Sequence, residues 1–211
     1  MPRREPRHTF DHMGSVKRVI IAGTGSGCGK TTVTCAVLAA LKARGLKVSA
    51  FKCGPDYIDP GFHREVIGVP SRNLDSFFCD DDTIRYLLSE NSKDSDISVI
   101  EGVMGFYDGA DGRGSAHSIS VITDTPAVVV IDCRGMSDSI GAVMKGFLEF
   151  RKPNNISGFI FNRLPEKLCG LAKNLCGEMG VRYLGYLPRT DFVIESRHLG
   201  LMMAEEIVDI K

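Results

Sequence analysis

Apolar residues along the chain fall into two patterns, short continuous runs and longer stretches with helical spacing. The continuous runs predict strands at residues 17–22, 47–52, 96–101, 127–132, 156–161 and 182–186. The periodic stretches predict helices at residues 30–44, 81–91, 137–151 and 165–179. Strands that alternate with helices are typical of a parallel sheet covered on both faces. The pattern therefore predicts a three-layer α/β/α fold with a mostly parallel sheet.

The composition favours one ordinary globular domain. No internal repeat or linker divides the chain, so residues 16–211 are predicted to form a single domain. Residues 1–15 are basic and polar without an apolar stretch, and we expect a disordered or tag-like extension rather than a signal peptide. Lys plus Arg and Asp plus Glu both number 26, which argues against a nucleic-acid-binding or membrane-surface protein. No stretch is long enough to span a membrane, so we expect a cytoplasmic protein.

A glycine-rich segment, GTGSGCGKTT at residues 23–32, joins the first predicted strand to the first predicted helix. Glycines let backbone N–H groups surround phosphate oxygens at a helix N-terminus, so this segment predicts a P-loop that binds ATP. Lys30 is expected to bridge the β- and γ-phosphates, and the Thr31 hydroxyl to ligate Mg²⁺. The other residues expected to line the nucleotide here are Thr24, Gly25, Ser26, Gly27, Gly29 and Thr32. The usual leading glycine would stand at position 24, but here it stands one residue earlier.

Polar segments follow three predicted strands, at the edge of the sheet where ligands bind in this fold class. They are KCGPDYIDP at residues 52–60, EGVMGFYDG at 101–109 and DCR at 132–134. Glu101 ends an apolar strand, the position from which a second acidic group reaches Mg²⁺ in a P-loop protein. Asp56 or Asp59 is a further candidate metal ligand. Turn formation in a loop rich in Pro and Gly is the alternative role for such residues.

Four segments together resemble the ATP-binding domain of the cobyrinic acid a,c-diamide synthase family. They are FKCGPDYIDPGFH, PSRNLDSFF, VIEGVMGFYDG and SRHLGL, and the resemblance covers nearly all of residues 17–201. Closely similar domains occur in hydrogenobyrinic acid and Ni-sirohydrochlorin a,c-diamide synthases. Dethiobiotin synthetase is a more distant relative with the same P-loop variant. The resemblance thus implies a P-loop NTPase-type fold like that of dethiobiotin synthetase.

The resemblance also implies a ligase that uses ATP and Mg²⁺ to phosphorylate the a and c acetates of a tetrapyrrole, here a corrinoid. Ammonia then displaces phosphate and leaves a carboxamide. On the matching residues, Lys30 and Thr31 hold the triphosphate and the metal. Glu101 and Asp56 are further metal ligands, and Lys52 lies beside the transferred phosphoryl group. The implied catalytic residues are Lys30, Lys52 and Glu101.

Further residues take substrate-binding roles by the same resemblance. Tyr57, Asp59 and Asp108 would face the tetrapyrrole and position its acetates. Arg72, in the segment Ser71-Arg72-Asn73, is a candidate for binding acetate or propionate groups, with a surface ion pair as the alternative. Asn162 matches the asparagine that contacts the adenine edge in such domains.

For several residues the sequence does not decide between two interpretations. His63 and His117 lie near the motifs and are candidates for substrate contacts, or for helix-capping or packing roles. Arg197 and His198 belong to the SRHLGL segment, to which the sequence assigns no chemistry. The seven cysteines form no C-x-x-C pair and several lie in apolar runs. We expect buried, reduced thiols, with a metal site between subunits as the alternative.

The family normally continues into a glutaminase domain, and no cysteine here has the setting of its nucleophile. We therefore expect ammonia to come from a glutaminase domain or chain outside this sequence.

The main alternative from another class is a partitioning or metallocentre-insertion switch ATPase. Such proteins usually carry an extra lysine early in the P-loop, and residues 23–29 contain none. The GPDYIDP and EGVMGFYDG segments favour amidation over a dethiobiotin-type reaction. The sequence leaves a homodimer open.

Overall fold

A sheet of seven parallel strands forms the centre of residues 17–189, the part of the chain that the computed structural model describes. The strands are β1 (Lys17–Gly23), β2 (Val48–Cys53), β3 (Ser71–Leu74), β4 (Ile97–Glu101), β5 (Ala127–Asp132), β6 (Ile156–Asn162) and β7 (Arg182–Leu187). Their spatial order is β3-β2-β4-β1-β5-β6-β7. The predicted α/β class and parallel sheet are confirmed.

Six α-helices connect these strands within the described residues. They are α1 (Lys30–Ala43), α2 (Ile58–Glu65), α3 (Asp81–Ser92), α4 (Ala116–Ile122), α5 (Ser139–Glu149) and α6 (Cys169–Glu178), the last preceded by a 3-10 turn at Glu166–Leu168. Local chemistry fixes two of the starts. The Asp80 carboxylate accepts the Thr83 N–H at the start of α3, and Ser115 and Ser118 form a capping box on α4. No helix within residues 17–189 has the length and apolar character needed to cross a membrane.

The core has two layers because successive side chains of a strand point to opposite faces of the sheet. Ile20 and Ile100 pack with buried residues of α3, α4, α5 and α6 on one face. Ile21 and Val99 pack with buried residues of α1 on the other face. Helices therefore cover both faces, as expected for buried parallel strands.

Three elements were not predicted from the sequence. The end of the polar segment at residues 52–60, interpreted above as a loop, belongs to helix α2, which begins at Ile58. Strand β3 and helix α4 were also missed; both are short, at four and seven residues. The predicted helix at 165–179 divides into the 3-10 turn and α6. The predicted extension at residues 1–15 and the SRHLGL segment with Arg197 and His198 lie outside the described residues.

Sheet order places the functional segments side by side. All carboxyl ends of a parallel sheet meet at one edge, and β4 lies between β1 and β2. In register, Glu101 is opposite Ile21 of β1 and opposite Lys52 of β2. The P-loop that follows β1, the end of β4 and the end of β2 therefore converge on a single site.

Candidate functional site

The P-loop wraps from the end of β1 to the start of α1. The Thr24 N–H donates to the Val130 carbonyl at 3.0 Å, so this backbone group continues the sheet rather than facing phosphate. Beyond it the chain turns through Gly27 and Gly29, with φ of 72° and 101°. Lys30 Nζ donates to the Gly25 carbonyl at 2.8 Å and so spans the loop from within. A lysine held across a loop at a helix N-terminus is placed to meet phosphate oxygens.

Two glycines of this loop are required by close contacts. A Cβ at Gly29 would lie 2.1 Å from Asn162 Nδ2, and one at Gly23 would lie 2.2 Å from Cys28 Sγ. The contact at Gly23 gives a physical reason for a glycine at this position. Asn162 Nδ2 donates to the Cys28 carbonyl at 2.9 Å and fastens the end of β6 to the P-loop. Its predicted adenine contact stays a prediction.

Glu101 is fully buried at the centre of the site. Its Oε1 accepts hydrogen bonds from Thr31 Oγ1 at 2.6 Å and Lys52 Nζ at 3.1 Å. Its Oε2 lies 3.0 Å from His63 Nε2. Burial alone would raise the pKa of Glu101, but the hydrogen bond from His63 and the charge of Lys52 lower it below the ordinary 4.5. Glu101 is therefore an ionised carboxylate at neutral pH.

Lys52 is buried beside Glu101 and directs its ammonium group at several acceptors. Besides Glu101 it donates to the Gly102 carbonyl at 3.0 Å, and it pairs with Asp59 at 2.5 Å and with Asp56 at 3.9 Å. Burial lowers the pKa of Lys52, but the carboxylates of Glu101 and Asp59 outweigh it, and the pKa is raised from 10.5. The site therefore holds a permanent positive charge where the resemblance placed one.

Helix α2 supplies two of the groups that surround this pair. Asp59 and His63 are four residues apart, so both point from one face of the helix. Asp59 is 0% exposed and meets Lys52, and its predicted contact with the tetrapyrrole stays a prediction. His63 is also fully buried and meets Glu101 rather than a substrate. Their inward orientation follows from the helix, which the sequence pattern did not predict.

The residues just before α2 border the same cluster from outside. Asp56 Oδ1 accepts the N–H groups of Ile58 at 2.8 Å and Asp59 at 3.2 Å, which is the turn-forming role given above as the alternative. Its Oδ2 is the atom that faces Lys52. A metal contact by Asp56 stays a prediction. Tyr57 is 85% exposed, as a side chain that meets a substrate would be.

Strand β3 brings Asn73 rather than Arg72 to the site. Arg72 is in register with Phe51, and Asn73 is in register with Lys52, so the two side chains lie on opposite faces of the sheet. Arg72 Nε donates to Asn91 Oδ1 of α3 at 2.5 Å, away from the site. Asn73 Nδ2 donates to the Asp56 carbonyl at 2.9 Å. Asn73 is thus the residue of this segment that joins the site, and strand alternation is the signal that identifies it.

The loop after β4 is fastened to the P-loop. The Phe106 N–H donates to the Gly23 carbonyl at 2.8 Å. Asp108 Oδ2 accepts the Gly105 N–H at 2.8 Å and closes a tight turn, while the Asp108 side chain remains exposed. Its predicted contact with the substrate stays a prediction.

Asp132, in the third polar segment, lies in a cluster of charges at the end of β5. It pairs with Arg134 at 2.9 Å and with Arg163 at 2.8 Å. Arg163 Nη1 also donates to the Gly27 carbonyl at 3.3 Å, so this cluster supports the P-loop from the β6 side. Arg163 was not predicted from the sequence. Its φ of 58° in a turn after Asn162 is the structural feature that directs it there.

The remaining candidates have packing roles in this structure. His117 Nε2 lies 2.9 Å from the Pro153 carbonyl, and its ring packs against Phe106 and Tyr107.

All seven cysteines are among the described residues and have free thiols, and five of them are buried: Cys28, Cys35, Cys53, Cys133 and Cys176. Burial raises the pKa of the Cys53 and Cys133 thiols to about 12. These two are therefore unreactive, apolar packing groups.

Comparison with known proteins identifies the family of this chain. A family model described as the CobQ/CobB/MinD/ParA nucleotide binding domain matches residues 19–201. The chain belongs to this family. It is 47% identical to the cobyrinate a,c-diamide synthase of Thermoplasma acidophilum over 93% of this chain and 45% of that protein. It is 44% identical to the synthase of Priestia megaterium, over 91% and 43%. The resemblance is confirmed, and the chain spans less than half the length of these relatives.

Solved structures support the fold of this nucleotide-binding domain. A nucleotide-binding protein in complex with ADP from Archaeoglobus fulgidus superposes with a TM-score of 0.53 at 14% identity, over 88% of each chain. Hydrogenase maturation factor HypB from the same organism superposes with a TM-score of 0.51 at 16% identity, over 82% of this chain and 75% of that one. At these identities the likeness shows the fold and nothing more specific.

The oxygen atoms of this nucleotide-binding domain fit Mg²⁺. Within residues 17–189, His, Cys, Asp and Glu side chains form no group of three or more that would hold a metal ion by themselves. Thr31 and Glu101 instead offer a hydroxyl and a carboxylate in direct contact beside the P-loop. Mg²⁺ in nucleotide sites takes one or two such protein ligands and completes its octahedron with phosphate oxygens and water. The donor set agrees with that chemistry.

Proposed function

We propose that this domain is the ATP-dependent ligase domain of a cobyrinate a,c-diamide synthase. It phosphorylates the a and c acetates of a corrinoid, and ammonia converts each acyl phosphate to a carboxamide. The observation that carries the proposal is the meeting of the P-loop with the buried Lys52–Glu101 pair, at the edge where Tyr57 is exposed. The names of the relatives support the choice of substrate.

Each group then has a definite task in the first step. Lys30 binds the β- and γ-phosphates in place of its bond to the Gly25 carbonyl. Thr31 and Glu101 hold Mg²⁺, which when bound neutralises phosphate charge. An acetate oxygen attacks the γ-phosphorus, the bond to the β-phosphate oxygen breaks, and ADP leaves. The permanent charge of Lys52 stabilises the transferred phosphoryl group.

The second step needs ammonia at the same edge of the sheet. Ammonia attacks the acyl carbon, phosphate leaves with the bonding electron pair, and a proton is lost to leave the amide. In the proposal, ammonia is released from glutamine by a glutaminase domain or chain in a cytoplasmic enzyme. Tyr57 and Asp108 position the acetates, Asp56 assists at the metal, and Asn162 contacts adenine.

Product mass tests the proposed reaction. The chain is incubated with ATP, MgCl₂, ammonium chloride and cobyrinic acid, and each amidation should give the mass change for exchange of OH by NH₂. Hydrogenobyrinic acid and Ni-sirohydrochlorin, as parallel substrates, distinguish the related synthases. ATP hydrolysis that no tetrapyrrole affects would instead support a switch ATPase and overturn the proposal.

A matched pair of variants connects the reaction with the site. Glu101→Gln should lower turnover by about 100-fold or more, since it removes the buried charge beside the transferred group. Glu65→Gln changes an exposed glutamate at the end of α2 and should leave turnover unchanged. A fully active Glu101→Gln variant would remove Glu101 from the metal site.

A further inference from the structure

The two ring nitrogens of His63 connect Glu101 to β3, the outermost strand on that side of the sheet. Nε2 lies 3.0 Å from Glu101 Oε2, and Nδ1 lies 3.0 Å from Ser71 Oγ at the start of β3. All three side chains are buried. An ionised carboxylate can only accept hydrogen bonds. His63 Nε2 therefore carries the hydrogen and donates a hydrogen bond to Glu101 Oε2.

The bond from His63 decides which oxygen of Glu101 is directed at the nucleotide. The terminal torsion of a glutamate is soft, so its carboxylate rotates unless it is held. With Oε2 held by His63, Oε1 stays against the hydroxyl of Thr31 at 2.6 Å. Without that bond, Lys52 would be free to draw both oxygens toward its ammonium group, away from Thr31.

We propose that His63, anchored by Ser71, is a positioning residue that fixes the Glu101 carboxylate for Mg²⁺·ATP. The inference rests on the proposed function only in taking Glu101 as a metal ligand. Both ring nitrogens of His63 are already engaged, by Glu101 and by Ser71, so neither is available for a substrate. Burial requires hydrogen-bond partners for the ring nitrogens, but it does not require that one of them be the Glu101 carboxylate. Outer partners of this kind tune a metal site without touching the metal.

Two amide substitutions separate this role from packing. In His63→Gln the amide nitrogen reaches the place of Nε2, so the bond to Glu101 is kept. In His63→Asn the shorter amide reaches only the place of Nδ1, so the bond to Ser71 is kept and the bond to Glu101 is lost. Binding of a fluorescent ATP analogue to the full chain is then titrated with MgCl₂, with thermal unfolding measured without metal.

His63→Asn should raise the Mg²⁺ concentration for half-maximal binding by about 10- to 100-fold, the usual effect of losing such a partner. His63→Gln should stay close to the parent, and Ser71→Ala should shift in the same direction as His63→Asn by a smaller factor. In the amidation assay, His63→Asn should lower kcat while KM for the corrinoid stays constant. Rescue by the glutamine variant is the signature of positioning.

Three results would overturn the inference. The first is a parent chain whose ATP binding does not depend on Mg²⁺. The second is equal Mg²⁺ dependence in the parent and His63→Asn. The third is equal impairment of both amide variants with equal loss of thermal stability, which would show a packing role. The Mg²⁺ titration needs no tetrapyrrole. A failure of the corrinoid assay alone would therefore contradict the proposed substrate but not the proposed role of His63.

Discussion

Replacing Asp59 by asparagine isolates the energetic role of the ion pair beneath the site. Asp59 and Lys52 are 0% and 1% exposed, and 2.5 Å separates Oδ2 from Nζ. Asparagine keeps the shape of the side chain and removes its negative charge. The ammonium group of Lys52 would then depend on Glu101 at 3.1 Å and on the more distant Asp56.

The expected loss follows from the burial of both partners. Removing one member of a buried pair costs about 3–5 kcal/mol, because the other charge is left without compensation. Glu101 still compensates part of the Lys52 charge, so the free energy of unfolding should fall by about 3 kcal/mol, the low end of that range. For a domain of this size the midpoint of thermal unfolding should fall by about 6–12 °C.

Urea unfolding followed by circular dichroism measures the free-energy change directly. Asp82→Asn is the matched control: Asp82 pairs with Arg85 at the surface, its side chain is 74% exposed, and the loss should be within about 0.5 kcal/mol. Combining Asp59→Asn with Lys52→Met should cost less than the sum of the two single changes, since no unpaired ammonium remains. A loss below about 1 kcal/mol in Asp59→Asn, or an additive double variant, would refute this account of the pair.

Two further predictions concern the P-loop and pH. Gly29→Ala should abolish ATP binding in a fluorescence titration, because φ is 101° and the new Cβ would lie 2.1 Å from Asn162 Nδ2; Gly146→Ala, with open space around it, should bind like the parent. The pKa of Glu101 is lowered from 4.5, so its contribution to stability is present above that pH and is lost as the pH falls below it. Urea unfolding from about pH 7 down to about pH 3 should show the advantage of the parent over Glu101→Gln shrinking, and a constant difference would contradict the assignment.

Strongly patterned segments made much of the fold predictable. Strand β1 and helix α1 flank the P-loop with clear apolar patterns, and both lie within one residue of their predicted bounds. Helix α2 was missed because Pro60 was taken as a loop signal. Pro60 occupies the first turn of the helix, where a missing N–H costs no hydrogen bond.

The site was harder to predict because the residues that contact one another in it are distant in sequence. Strand β3 has four residues and was not predicted, so alternation along it was not used to tell Arg72 from Asn73, and the structure brings only Asn73 to the site. From the sequence, Asp59 was a candidate for the metal or the substrate, and His63 for a substrate contact or a packing role. Their burial depends on charges supplied by β2 and β4, which no local pattern reports.

The entry to α2 alternates sharply between outside and inside. Tyr57 is 85% exposed, and Asp59, two residues later, is 0% exposed. Outward positions in such a segment tolerate replacement, whereas an inward one is tied to a buried partner charge. Under the proposed function, evolution can therefore change the exposed side chains that contact the acid substrate while the buried charges that act on phosphate stay the same.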